Sequence, residues 1–170
     1  MPRLVTPDMR AVVEVAHLVF AATVTPDGRP NLSPKGTIRV WDDDRLFYLD
    51  IASPRTRENL RHNPAIELNI VDQTSRRGYR FRGRASLHAG DDIYAKATAR
   101  VFAEESTTYP VACVVLIRVE HAEPLVSPGY LHVADEWAMR AAWAKRRPLL
   151  DAAFEAHIRA RGPWTGDAIR

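Results

Sequence analysis

Apolar positions in this chain recur at two spacings, and the alternation between them maps out the elements. Across 7–17, Met9, Val12, Val13, Val15 and Ala16 recur at roughly helical spacing. Thr6 stands as N-cap and Pro7 at the first helical position, which predicts a short amphipathic helix. LVFAATVT (18–25) is a β-branched and aromatic run and predicts a strand. PDGRP (26–30) follows it, and Asp27-Gly28 is a hairpin signal. NLSPKGTIRVW (31–41) predicts the returning strand, whose interior Pro34 and Gly36 imply an edge, a bulge or a close backbone approach. The acidic turn Asp42-Asp43-Asp44 leads into RLFYLDI (45–51), so these strands read as a three-stranded antiparallel meander.

The next segment, 54–62, predicts a helix. Ser53 caps it, Pro54 fits its first turn and Asn63-Pro64 ends it. AIELNIV (65–71) and RGYRFRGRASLHA (77–89) predict strands on either side of a polar loop. The second alternates, with Tyr79, Phe81 and Ala85 on one face and Arg80, Arg82 and Arg84 on the other. Residues 91–106 predict a helix, 111–125 a long and mostly buried strand, and 135–161 two helical segments separated by Pro148. Six strands joined by short hairpins and decorated by helices predict a small antiparallel barrel, not a parallel α/β sheet. The whole chain, 1–170, reads as one domain with a barrel core over about 6–125 and a helical segment over about 135–161.

Composition narrows the function classes. With 46% hydrophobic and 26% charged residues, the chain has the balance of a folded globular protein. No apolar run approaches the ~20 residues of a membrane span. The N-terminal stretch MPRLVTPDMRAVVEVAH is broken by Asp8, Arg10 and Glu14, has no signal-peptide core and predicts a cytoplasmic protein. A single cysteine, Cys113, excludes an intramolecular disulfide and any multi-cysteine metal site, and its apolar setting reads as a buried, inert thiol. His17, His62, His88, His121, His132 and His157 lack metal-ligand spacing, so no metal is expected. There is no GxGxxG, Walker loop or GxSxG elbow. The Asp42–Asp44 and Glu104–Glu105 carboxylates sit at a turn and a helix end and read as solvated charge.

Charge is unevenly placed. All but three of the 24 basic residues are arginine. Residues 52–84 hold eight of them (55, 57, 61, 76, 77, 80, 82 and 84) against Glu58, Glu67 and Asp72. Two readings fit this cluster: an anionic partner, or a solvated basic face. The junction at Ile51 sharpens the first. There a strand ends, Ser53 precedes a helix, and Arg55, Thr56 and Arg57 fall in its first turn. A helix N-terminus offers free N–H groups and partial positive charge, and a hydroxyl and an arginine complete a phosphate-sized anion site. Lys35, on a neighbouring strand, adds a second positive contact or is an ordinary strand lysine. Arg57 and Arg61 are expected to point elsewhere.

The order FAATVTPDGRPNLSPKG, DRLFYLD, SPRTRENLRHNPAIELNIVD, GYRFRGRA resembles the pyridoxamine 5′-phosphate oxidase-like family of flavin-binding split β-barrels over roughly residues 6–120. The resemblance implies a six-stranded Greek-key barrel, mainly β with helices, forming a homodimer that binds FMN, or in some members the deazaflavin F420, between subunits. It implies that Ser33, Lys35, Gly36 and Thr37 of strand two, and Leu49 and Asp50 at the end of strand three, line the flavin ring and ribityl chain. Ser53, Arg55 and Thr56 would clamp the phosphate, and Arg80 and Arg82 would reach the cofactor of the same or the partner subunit. The C-terminal Arg/His substrate motif of the vitamin B6 oxidase has no counterpart in WAMRAAWAKRRPLLDAAF or RGPWTGDAIR, so the substrate stays open.

The expected function is therefore an FMN-dependent oxidoreductase acting on a small molecule. The alternatives are an F420-dependent reductase of the same fold and a non-enzymatic flavin-binding protein. Nucleic acid is an unlikely ligand, because Tyr79 and Phe81 face away from the arginines and leave no stacking platform beside them.

Overall fold

A computed structural model describes residues 4–16 and 18–162. The chain forms two compact units, Met1–Asp72 with Arg77–Leu125, and Gln73–Arg76 with Val126–Arg170.

The first unit opens with helix α1 (Pro7–Val15), where the Thr6 hydroxyl accepts the Met9 N–H. Strands β1 (Val19–Val24) and β2 (Pro30–Lys35) form the expected hairpin, turned by Gly28 at φ +83°. The meander then fails. The predicted strand 31–41 breaks at Gly36–Ile38, and its second piece, β3 (Arg39–Val40), pairs with β4 (Arg45–Asp50), not with β2. After helix α2 (Pro54–His62) come β5 (Ala65–Asp72), β6 (Arg77–His88), helix α3 (Asp92–Glu105) and β7 (Cys113–Val126). The sheet order is β2-β1-β5-β6-β7-β4-β3, seven strands where six were expected because one predicted strand is two.

That order forces curvature. Six gaps of about 4.8 Å would put β2 and β3 about 29 Å apart in a flat sheet. Yet only the residues between Lys35 and Arg39 join them, a reach of about 14 Å at most. The sheet therefore curls until its two edges approach, which is the split-barrel architecture. Two glycines of β6 permit the close packing this needs: a Cβ on Gly78 would lie 1.9 Å from the Ile70 carbonyl oxygen, and one on Gly83 would lie 2.1 Å from that of Arg118.

The core lies inside the curl, where Val19, Leu46, Tyr48, Leu68, Ile70, Phe81 and Ile117 are fully or almost fully buried. Alternate residues of β4 and β7 face outward and are covered as well. Phe47, Leu49, Val114 and Leu116 pack with Ala97 and Val101 of α3. β4 and the first half of β7 are thus buried on both faces, which is why they read as apolar runs, whereas beyond Val119 β7 is largely exposed and the expected burial of the whole strand does not hold. Cys113 is buried, and burial pushes its thiol pKa up.

In the second unit the turn 73–76 is pinned by the Ser127 N–H on the Arg76 carbonyl (3.0 Å), the Tyr130 hydroxyl on the Ser75 carbonyl (2.6 Å) and Arg140 on the Thr74 hydroxyl (2.6 Å). Its long helix, α4 (Glu136–Arg161), runs through Pro148, so the two expected segments are one. Pro148 removes the N–H that would bond the Ala144 carbonyl, but both residues are exposed, so that carbonyl is open to solvent and is not buried unpaired. No helix among the described residues is long and apolar enough to cross a membrane.

Candidate functional site

The break between β2 and β3 builds a cavity of about 420 Å³, within the range of small-molecule sites. Its walls are Ser33–Thr37, Leu49–Ser53, Glu105 at the end of α3 and Tyr109 in the loop beyond it. Thr37 holds the break in place: its hydroxyl accepts the Leu49 N–H (3.0 Å) and donates to the Leu49 carbonyl (3.3 Å). A side chain thereby continues a ladder that the backbone has left. Arg39, itself buried, anchors α3 to the same edge through Glu104 (2.7 Å) and Glu105 (2.9 Å). These two carboxylates are ion-paired, not free solvated charge as the sequence suggested.

A polar chain runs along the cavity wall. Lys35 is 7% exposed, and its ammonium donates to the hydroxyls of Ser33 (2.5 Å) and Ser53 (2.7 Å) while lying 5.4 Å from the Tyr48 ring centre. Burial pushes the Lys35 pKa down, with the Asp50 carboxylate pulling the other way. The Ser53 hydroxyl donates to Asp50, and Arg57 pairs with the other oxygen of that carboxylate at 2.6 Å. Asp50 is 1% exposed, so these partners offset its desolvation. The Tyr48 hydroxyl is also buried and has no hydrogen-bond partner among the described residues; burial, and then Asp50, push its pKa far up.

Two sequence expectations change here. Ser53 occupies the N-cap position of α2 but makes no capping bond, because Asp50 and Lys35 engage its hydroxyl. Arg57 does not point away; it belongs to the polar chain. As a result no side chain caps α2. Pro54 has no N–H, and the N–H groups of Arg55 and Thr56 lie beyond the reach of intrahelical bonding. Arg55 is exposed and makes no ion pair among the described residues.

Of the eleven residues singled out from sequence, Ser33, Lys35, Gly36, Thr37, Leu49, Asp50 and Ser53 line the one cavity. Arg55 sits in the adjoining helical turn. Thr56 does not present its hydroxyl there: it is 2% exposed, and its oxygen accepts from Asn31 (3.2 Å) in a cluster with Thr23 and Asn59. Arg80 and Arg82 stand apart on the outer face of β6, each paired with Glu67 and Glu123 at 3.0–3.2 Å. Glu105 and Tyr109 were missed, since nothing in the sequence links a helix end to strands some 55 to 75 positions earlier. Among the described residues no group of His, Cys, Asp or Glu could hold a metal ion. His17 and most of RGPWTGDAIR lie outside them.

The arrangement suits an anion. Lys35 and Arg57 offset Asp50, Arg39 offsets Glu105, Arg55 makes no ion pair among the described residues, and two helical N–H groups are uncapped.

Comparison with known proteins places this geometry. Among curated proteins nothing matches the chain. Among solved structures, HupZ of Group A Streptococcus is 31% identical, over 72% of this chain and 94% of that one, with a TM-score of 0.65. An FMN-binding protein of Syntrophomonas wolfei (14% identical; 70% of this chain, 84% of that one; TM-score 0.61) and an F420 reductase (20% identical; 69% and 98%; TM-score 0.56) share the fold. The family model for pyridoxamine 5′-phosphate oxidase matches residues 5–125, the span that forms the curled sheet and every wall of the cavity, and the chain belongs to that family.

Proposed function

We propose that the protein binds FMN in this cavity and acts as a flavin-dependent oxidoreductase on a small molecule. The observation that carries this reading is the uncapped start of α2 with its unpaired Arg55, next to a cavity lined by the buried Lys35. The N–H groups of Arg55 and Thr56 and the Arg55 guanidinium receive the phosphate. Thr56 contributes through its backbone, since its hydroxyl is turned inward. Gly36, Thr37 and Leu49, which line the cavity, would hold the ring, and Lys35 would supply a positive charge to it. Bound FMN would supply hydride or electron transfer. The chain's own work is to bind, orient and exclude water, with Ser33, Ser53 and Asp50 holding the ammonium of Lys35 in place. Arg80 and Arg82, committed to Glu67 and Glu123, are assigned no cofactor contact.

F420 is the alternative cofactor, and its acidic tail would call on Arg57, Arg61, Arg76 and Arg77. Arg57 is tied to Asp50, and Arg76 lies 4.4 Å over the Trp143 ring, so the arginine set favours FMN. A fluorescence titration with F420 against FMN-loaded protein distinguishes them, because displacement of FMN by F420 reverses the assignment. The primary test is the visible spectrum of the purified protein titrated with FMN. The expected result is a yellow complex of micromolar or tighter affinity. A spectrum of free FMN at every protein concentration removes the proposal.

A further inference from the structure

A second constellation lies on β6, with no residue among the cavity walls. Ser86 and His88 are two positions apart on one face of the strand, and Asp91 begins the next element as the N-cap of α3. The Ser86 hydroxyl oxygen is 2.8 Å from His88 Nε2, and His88 Nδ1 is 2.8 Å from Asp91 Oδ2. Asp91 Oδ1 is fixed by the Tyr94 N–H at 2.8 Å. The carboxyl of Asp91 is held below its usual range, first by that N–H and then by His88.

The tautomer follows from the contacts. A carboxylate facing Nδ1 requires the proton there, so a neutral His88 carries its lone pair on Nε2, and the Ser86 hydroxyl donates to it. Among the described residues the other acceptor that Ser86 reaches is the Leu116 carbonyl, at 3.4 Å, too long to compete. Capping of α3 explains why an aspartate stands at 91, but it does not require His88 or Ser86. Ser86 is exposed, so the oxygen is accessible.

We propose that Ser86 is an activated nucleophile, with His88 as its general base and Asp91 as the group that orients the imidazole, and that it is acylated by small activated esters. In the first step the Ser86 oxygen bonds to the acyl carbon and the bond from that carbon to the leaving oxygen breaks. The serine proton passes to His88 Nε2 and then to the leaving group. In the second, water attacks the acyl carbon, its proton goes to Nε2, and Ser86 leaves with that proton. No electrons change hands and no co-reactant besides water is needed. The open setting limits the substrate to small acyl groups.

The test uses the full chain with p-nitrophenyl acetate, reading p-nitrophenol release and acetylation of the Ser86 peptide by mass spectrometry. The expected result is a burst of about one equivalent with acetyl on Ser86. His88→Gln should slow acetylation about 100-fold or more. Asp91→Asn is the decisive variant, because an asparagine oxygen can still accept the Tyr94 N–H and keep the helix capped. It should leave thermal stability unchanged and slow acetylation about tenfold or more. Absence of acetyl on Ser86, acetylation confined to lysines, or equal rates in wild type and His88→Gln would each overturn the proposal. So would an Asp91→Asn variant that acetylates at the wild-type rate.

Discussion

At the scale of single residues, Arg55 and Arg57 lie two positions apart and do opposite work. Arg55 is exposed and unpaired, whereas Arg57 is tied to a buried carboxylate. If Arg55 holds the flavin phosphate, Arg55→Ala should weaken FMN binding by about 1.5–3 kcal/mol, roughly 10- to 150-fold in Kd. Riboflavin, which lacks the phosphate, should bind almost as before, and stability without ligand should hold, since a positive charge leaves a helix N-terminus. Isothermal titration with both ligands checks this, and equal losses would misplace the phosphate. Arg57→Ala should instead act on the fold, destabilising it by about 1.5–3 kcal/mol through the lost charged hydrogen bond. Urea denaturation reads that directly, and an unchanged midpoint would contradict the polar chain. Lys35 gives a pH signature. Its folded pKa lies below the ordinary 10.5, so across the window between the two values the unfolded chain binds more protons. Stability therefore rises with pH in that window, and below it the folded protein bears the cost of a buried charge. Lys35→Met should flatten this rise in denaturation curves taken at successive alkaline pH values; a parallel pair of curves would mean that Lys35 is not desolvated.

At the scale of elements, the decisive feature is the break at Gly36–Ile38. Pro34 and Gly36 flagged it as a disturbance, but no local rule says that the strand's second half pairs at the far edge of the sheet. Thr37→Val tests how the break is held. It keeps the shape and leaves the Leu49 N–H buried without its acceptor, which should cost about 1–3 kcal/mol in chemical denaturation. A neutral effect would show that the hydroxyl bridge contributes nothing. Gly36→Val should leave the fold largely intact and impair FMN binding, because a side chain would then project from a cavity wall. α4 shows the limit of a local rule from the other side. Proline usually ends a helix, but on an exposed helix the one carbonyl left without its hydrogen bond is open to solvent and the helix continues.

For the whole molecule, we expect a homodimer. Leu32 is 64% exposed with Phe20 and Val24 on the same hairpin, and Trp137, Leu149 and Phe154 of α4 are 81, 73 and 65% exposed. Large exposed apolar groups on each of these two elements mark association surfaces. Light scattering should give twice the chain mass in the presence of FMN, and a monomer would remove the dimer from the proposal.

Short-range chemistry made much of this legible from sequence. The Asp27-Gly28 turn, the α2 boundaries from Pro54 to His62, the alternation of β6 and the burial of the first half of β7 follow from propensity and period, which neighbouring residues set. Most residues of the cavity were legible too, because two short segments supply them. What the sequence could not decide is which of several possible partners a polar side chain takes. Ser53 looks like a cap, and Asp50 and Lys35 take its hydroxyl; Arg57 looks solvent-directed, and Asp50 holds it; Glu104 and Glu105 look solvated, and Arg39 pairs with both. A side chain's bonding is fixed by the groups the fold brings within about 3 Å: the chain reversal after β4 sets Ser53 and Arg57 against Asp50, and the curl that brings the β2 edge toward the β3–β4 edge adds Lys35 to Ser53.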